Sequence, residues 1–232
     1  MKKPQQVPKD WERLFRHALR LLDDLAKKSG TNPFWTFGGG TVLMLRYRHR
    51  MSRDVDIFVP DPQYLGYVTP RLSDVAEGIT QDYVEAAGYV KLILPTGEID
   101  FVASPNLTEN PFEEMTLLGR KVRVETAAEI IAKKMWHRGD QVAARDLFDL
   151  ALVIKREPAN LSAAAKFLLR HRAAFLEQLK TREPILRESF DAIDTLDFHP
   201  SFAQCVDVVS TFLNALPKEE SKGRNRRPKL GQ

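Results

Sequence analysis

Three consecutive glycines, Gly38-Gly39-Gly40, stand between an aromatic run, Phe34-Trp35-Thr36-Phe37, and a run from Thr41 to Arg48 that neither Gly nor Pro interrupts. The first run suits a pleated strand and the second a helix of about two turns. A strand entering a helix through glycines can leave backbone N–H groups facing an anion, although glycines also serve tight turns and close packing. A second strand follows, preceded by Ser52. In Asp54-Val55-Asp56-Ile57-Phe58-Val59 the period of two puts both aspartates on one face and Val55 and Ile57 on the other. Strand, glycine turn, helix and strand in so short a space define a compact α/β unit.

Neighbouring carboxylates repel, so the pair calls for a cation. Mg²⁺ fits best, because its hard coordination suits carboxylates together with substrate phosphates. Without the glycines, the same pair reads as the exposed acidic start of an edge strand.

At 232 residues and 43% hydrophobic content the chain can bury a proper core as one large or two small domains. Met1-Lys2-Lys3 leads into Pro4, Gln5 and Gln6 rather than an apolar signal segment, and no run approaches a membrane span, so a cytoplasmic protein with no membrane partner is expected. The single cysteine, Cys205, excludes an internal disulfide and sits among valines as a small hydrophobe. The net charge of +4 points to nucleic acid only until it is located. From Pro217 onward six basic residues face two acidic ones, which accounts for the whole excess and predicts a disordered basic tail, 217–232, with at most an accessory affinity for RNA.

Along the chain, Trp11, Leu14, Phe15, Ala18, Leu22 and Leu25 recur at helical spacing and Gly30 ends the helix. Tyr64 to Ala87 reads as helical, divided at Pro70. Tyr89–Leu94 and Glu98–Val102 flank Pro95-Thr96-Gly97 as a hairpin, and a shorter hairpin at Met115 to Val124 turns at Gly119-Arg120. From Thr126 the composition shifts to Ala, Leu, Lys and Arg. Helices are expected from a Thr126/Glu129 capping box to about His137, at Ala143–Lys155, Leu161–Lys180 and Pro184 to about Asp194, and at Ser201–Leu216. The fold class expected is α+β, a small mixed or antiparallel sheet with flanking helices followed by a C-terminal helical bundle. The expected boundaries are 1–125, 126–216 and the tail 217–232.

Asp100, between Ile99 and Phe101, is costly to bury unless it is paired or points at a site. With Asp54 and Asp56 it would make a three-carboxylate cluster for one or two metal ions; the alternative is an ion pair with a neighbour such as Lys91. In Lys133-Lys134-Met135-Trp136 and Arg145-Asp146-Leu147-Phe148-Asp149, the lysines can neutralise phosphate charge, or be a solvated face, and the acids suit a helix start.

Taken together, GGGTVLMLR, SRDVDIF, EIDF, AKKMWHRGD and ARDLFDL resemble the nucleotidyltransferase-like proteins of the AbiEii toxin type, members of the DNA polymerase beta-like nucleotidyltransferase superfamily. The resemblance runs from about Phe34 to Ile154. It implies binding of an NTP and Mg²⁺, as one ion or two, by Gly39, Gly40, Thr41, Ser52, Asp54 and Asp56. It also implies a lysine on the first helix of the helical half, Lys134 or Lys133, and an aspartate on the next, Asp146. Thr41 stands where the superfamily usually has serine, and Asp100 is a less regular metal ligand in this family. As a hypothesis, an acceptor hydroxyl attacks the α-phosphate, Asp100 or Asp146 helps to deprotonate it or binds a second metal, and Lys134 and Arg145 stabilise the leaving pyrophosphate. The expected activity is NMP transfer to an RNA end, tRNA above all, or to a protein. The expected setting is a toxin–antitoxin or phage-defence system with a separately encoded antitoxin. A non-catalytic NTP-binding regulatory module on the same fold is the alternative, and an RNA-binding protein relying on its basic tail a third.

Overall fold

The computed structural model describes residues 9–217, so nearly all of the expected basic tail lies outside the described residues. The helix α1 (Asp10–Ser29) buries Trp11, Leu14, Phe15, Ala18, Leu21, Leu22 and Leu25 along one stripe and ends at Gly30 in the left-handed conformation, φ +67°. Its aromatic residues meet Phe37 of the first strand, with ring centroids 4.6 Å apart for Phe15 and 6.4 Å for Trp11.

A mixed sheet of seven strands carries the N-terminal half. They are β1 (Thr36–Gly38), β2 (Val55–Val59), β3 (Tyr83–Ala86), β4 (Tyr89–Leu94), β5 (Gly97–Ala103), β6 (Phe112–Leu117) and β7 (Arg120–Glu125), in the order β3-β4-β5-β2-β1-β7-β6. β2 runs antiparallel to β1 and parallel to β5, and the register sets Gly38, Asp56 and Asp100 side by side on three adjacent strands. Val55, Ile57 and Val59 are buried while Asp56 and Phe58 on the other face are partly exposed, as the alternation requires. The glycines fall between β1 and α2 (Gly39–Tyr47).

The helix expected over Tyr64–Ala87 is not formed. A 3-10 turn (Pro62–Tyr67) and one short helix, α3 (Asp74–Glu77), capped by the Ser73 hydroxyl, use its first part. Tyr83–Ala86 is instead the edge strand, turned onto β4 through Ala87-Gly88. Both expected hairpins are present, as β4–β5 and β6–β7.

The helical half comprises α4 (Ala127–Arg138), α5 (Ala144–Arg156), α6 (Pro158–Ala163), α7 (Ala165–Leu169), α8 (Arg172–Thr181), α9 (Glu183–Asp191) and α10 (Phe202–Ala215). The single helix expected over Leu161–Lys180 is divided into α6, α7 and α8. The bends lay Phe167 edge-on against Trp136 of α4 and Arg170 over the same ring. Backbone hydrogen bonds join the halves: Met51 N–H donates to Asp194 O (2.8 Å), Leu196 N–H to His49 O (3.0 Å) and Asp197 N–H to Arg48 O (2.7 Å). No helix among the described residues is long and apolar enough to cross a membrane.

Candidate active site

The glycine turn fits its surroundings atom by atom. Gly39 has φ +73°, and a Cβ there would lie 1.8 Å from Asp56 Oδ2, so only glycine lets the Asp56 carboxylate pack against the start of α2. A Cβ on Gly40 would meet Arg50 Nη2 at 2.8 Å and Ser52 Oγ at 2.9 Å. No side chain caps the N-terminus of α2, whose first-turn amides therefore begin beside Asp56. Thr41 corrects the expectation of a phosphate-holding hydroxyl. It is fully buried, its Oγ1 donates to Asp54 O (2.5 Å), and Ser52 Oγ lies 3.1 Å away. Its hydroxyl ties the turn to the segment before β2.

Asp56 lies next to Asp100 in the register of β2 and β5. Burial, with the Asp100 charge second, pushes the Asp56 carboxyl up to about 7, against the pull of Lys134 and Arg138. Asp100 is raised as well, by burial, although Lys91 opposes the shift from 3.2 Å at Oδ2. The expected neighbour Lys91 is thus an ion-pair partner of Asp100, and it also pairs with Glu98. The other oxygen, Asp100 Oδ1, is buried with no hydrogen-bond partner. Asp54, just ahead of β2, accepts from Glu98 N–H through Oδ1 (3.1 Å). Among the described residues no three His, Cys, Asp or Glu side chains are grouped as a metal cage, so the expected three-carboxylate cluster is not assembled. The chemistry still suits a hard cation: an orphaned carboxylate oxygen beside a carboxyl whose pKa burial, and then the neighbouring Asp100 charge, has raised.

The helical half brings cations to this face of the sheet. Lys134 Nζ donates to Asp146 Oδ1 (2.7 Å) and Asp149 Oδ2 (2.6 Å), and Arg138 Nη2 donates to Asp146 Oδ1 (2.8 Å). Arg50 grips Asp149 with Nε (2.7 Å) and Nη2 (2.8 Å), and His49 Nε2 lies 2.8 Å from Asp149 Oδ1. Burial would raise both aspartates, but Lys134 with Arg138 holds Asp146 below the usual range, and Arg50 with Lys134 holds Asp149 far below it. Burial keeps His49 low, so the cluster sets three cations against two carboxylates.

Lys133, expected as the alternative site lysine and a nucleotide contact, is a core residue. It is 4% exposed, paired with Glu125 (2.5 Å) and Glu129 (3.5 Å), and its Nζ lies 4.0 Å from the centre of the Phe58 ring. Arg145 is exposed at the start of α5, away from the cleft where Lys134, Arg138 and Asp146 meet. Asp149, Arg50, Arg138 and His49 were missed as site residues. The signal available was a second acid one helical turn after Asp146, together with the basic run from Arg46 to Arg53.

A seven-stranded mixed sheet carrying a glycine turn against a strand aspartate, closed by helices that bring lysine and arginine to the same face, defines a nucleotidyltransferase fold. The family model described as "Nucleotidyl transferase AbiEii toxin, Type IV TA system" matches residues 20–218. The chain belongs to that family and is a nucleotidyltransferase. Among solved structures it is similar to MenT4, a nucleotidyltransferase toxin of Mycobacterium tuberculosis, with TM-score 0.53 and 21% identity over 92% of this chain and 87% of that one. It is likewise similar to JHP933 of Helicobacter pylori, with TM-score 0.51 and 16% identity over 91% and 93%. Comparison with curated proteins gives no match.

Proposed function

We propose that the protein moves a nucleoside monophosphate from an NTP, with Mg²⁺, to a macromolecular acceptor, an RNA end such as that of tRNA in preference to a protein, as the toxin of a toxin–antitoxin pair. The observation that carries this reading is the packing of Asp56 against Gly39, with Asp100 and its unpartnered Oδ1 alongside. It puts carboxylate oxygens and the free amides of α2 within one small space. Asp56 and Asp100, adjacent in register, would hold the cation, which when bound neutralises triphosphate charge.

The chain's own groups would do the rest. The Gly39 and Gly40 amides cradle phosphate oxygens. Lys134 has used two of its three donors, so the third N–H and the remaining Arg138 donors are left to face the departing pyrophosphate. Asp146 is a weak base while Lys134 and Arg138 hold its pKa low, so it positions those cations. Asp100, with raised basicity and a free oxygen, is the better acceptor for the proton of the attacking hydroxyl.

The test is purified protein with Mg²⁺ and each labelled NTP, over tRNA and over cell lysate. Label in a macromolecule that disappears with Asp56→Ala supports the reading; equal labelling by Asp56→Ala refutes it. Magnesium-dependent NTP binding with no transfer to any acceptor would favour the regulatory alternative.

A further inference from the structure

A groove of about 450 Å³ opens between the Arg50-Met51 segment, the start of α5, and α9 with the turn after it. It shares no lining residue with the small cleft of Lys134, Arg138 and Asp146, and two of its cations, Arg145 and Arg182, lie outside the cluster beside Asp56. Arg50 in its wall is neutralised by Asp149, whereas Arg145 has no hydrogen-bond or ion-pair partner among the described residues. Arg182 spends Nη1 on Gln178 Oε1 (2.9 Å) and Val142 O (3.4 Å) and has no carboxylate partner there. The one acidic side chain lining the groove is Asp194. The rest of the wall is mainly apolar, including Met51, Ile193 and Ile185, the last 60% exposed on a helix that buries Leu186 and Phe190 beside it.

Two uncompensated guanidiniums beside an exposed apolar wall match a phosphate joined to a flat base. We propose that this groove holds the terminal nucleotide of a single-stranded RNA acceptor, its phosphodiester on Arg145 and Arg182 and its base over Met51, Ile185 and Ile193. The proposal rests on the reading of the neighbouring site as a nucleotidyltransferase centre. Arg50 joins the two, since it lines the groove while its Nη2 lies 2.8 Å from where a Gly40 Cβ would be. The groove suits an acceptor better than the NTP, because two monovalent cations, with the uncapped first turn of α5 beside them, match one phosphodiester rather than a triphosphate. Asp194 supplies an acceptor for a ribose 2′-hydroxyl.

The experiment measures binding of a fluorescent single-stranded RNA of about eight nucleotides to the full chain across a salt series, with NTP affinity measured separately by calorimetry. For Arg145→Ala/Arg182→Ala the expected result is RNA binding weaker by about tenfold. Its log–log salt slope should also be shallower by about 1.4, two single-strand contacts at roughly 0.7 each, with NTP affinity unchanged. Ile185→Ser, at an exposed position that leaves the fold intact, should weaken RNA binding without changing the slope. RNA binding by the double variant equal to wild type overturns the proposal. So does a loss confined to NTP binding, which would make the groove part of the nucleotide pocket, or wild-type transfer to protein alone that the variants reduce. If the RNA effects appear while the wild type transfers no label, the groove stands and the transferase reading falls.

Discussion

A Cβ on Gly39 would sit 1.8 Å from Asp56 Oδ2, and the residue already holds a left-handed φ of +73°, so Gly39→Ala faces two costs at once. The backbone term is about 1–2 kcal/mol, and the clash adds to it unless Asp56 moves. In chemical denaturation Gly39→Ala should therefore be destabilised, and adding Asp56→Ala should return part of that loss while transfer stays abolished; strict additivity would show that the two residues do not touch. The raised Asp56 carboxyl gives a second prediction. Between its ordinary value of 3.8 and about 7 the folded protein keeps a proton that the unfolded chain gives up, so stability falls as pH rises through that window. In chelator at pH 8, Asp56→Asn should melt at least about 2 °C higher than wild type, the shift that ~1 kcal/mol produces in a protein of this size, and the gain should vanish near pH 4. At this scale the glycine turn and Asp54-x-Asp56 were legible because they are local geometry. The fates of Thr41 and Lys133 were not. Whether a hydroxyl faces a ligand or the Asp54 carbonyl, and which of two adjacent lysines turns inward, depends on packing from distant parts of the chain.

Among the elements, α5 shows what local pattern cannot supply. Asp149 lies within its apolar stretch, and its partner Arg50 is 99 residues away in sequence. Read from spacing alone, Asp149 belongs to a helix start favourable to acids; in the structure it is fully buried and holds α5, α4 and the segment after α2 together. Removing one partner of such a cluster leaves buried charge uncompensated. Asp149→Ala should thus cost about 3–5 kcal/mol in urea unfolding, well above an exposed ion pair such as Arg187–Glu183, at under about 1 kcal/mol. Equal small losses at both sites would contradict this picture. The helix expected at Tyr83–Ala86 fails for a related reason: its strand character comes from pairing with β4, at the edge of a sheet whose order the sequence does not display.

On the scale of the whole molecule, the expected division near residue 125 marks a real change of composition, yet the candidate site draws on both sides of it. Asp56 and Asp100 come from the sheet and Gly39 from the start of α2 beside it, and Lys134, Arg138, Asp146 and Asp149 come from the helical half. The backbone bonds between 48–51 and 194–197 tie the two together. Calorimetry should therefore give one unfolding transition with equal calorimetric and van't Hoff enthalpies; two resolved transitions would mean that the halves are independent. The central claim is that this junction is a nucleotidyl-transfer centre built on Asp56. Its most direct measurement is the single-turnover rate of label transfer from saturating α-labelled NTP and Mg²⁺ to RNA, for wild type and for Asp56→Asn. The predicted result is transfer by wild type and a fall of at least about 10²–10³-fold in the variant with its fold intact; transfer at the wild-type rate by Asp56→Asn would contradict it.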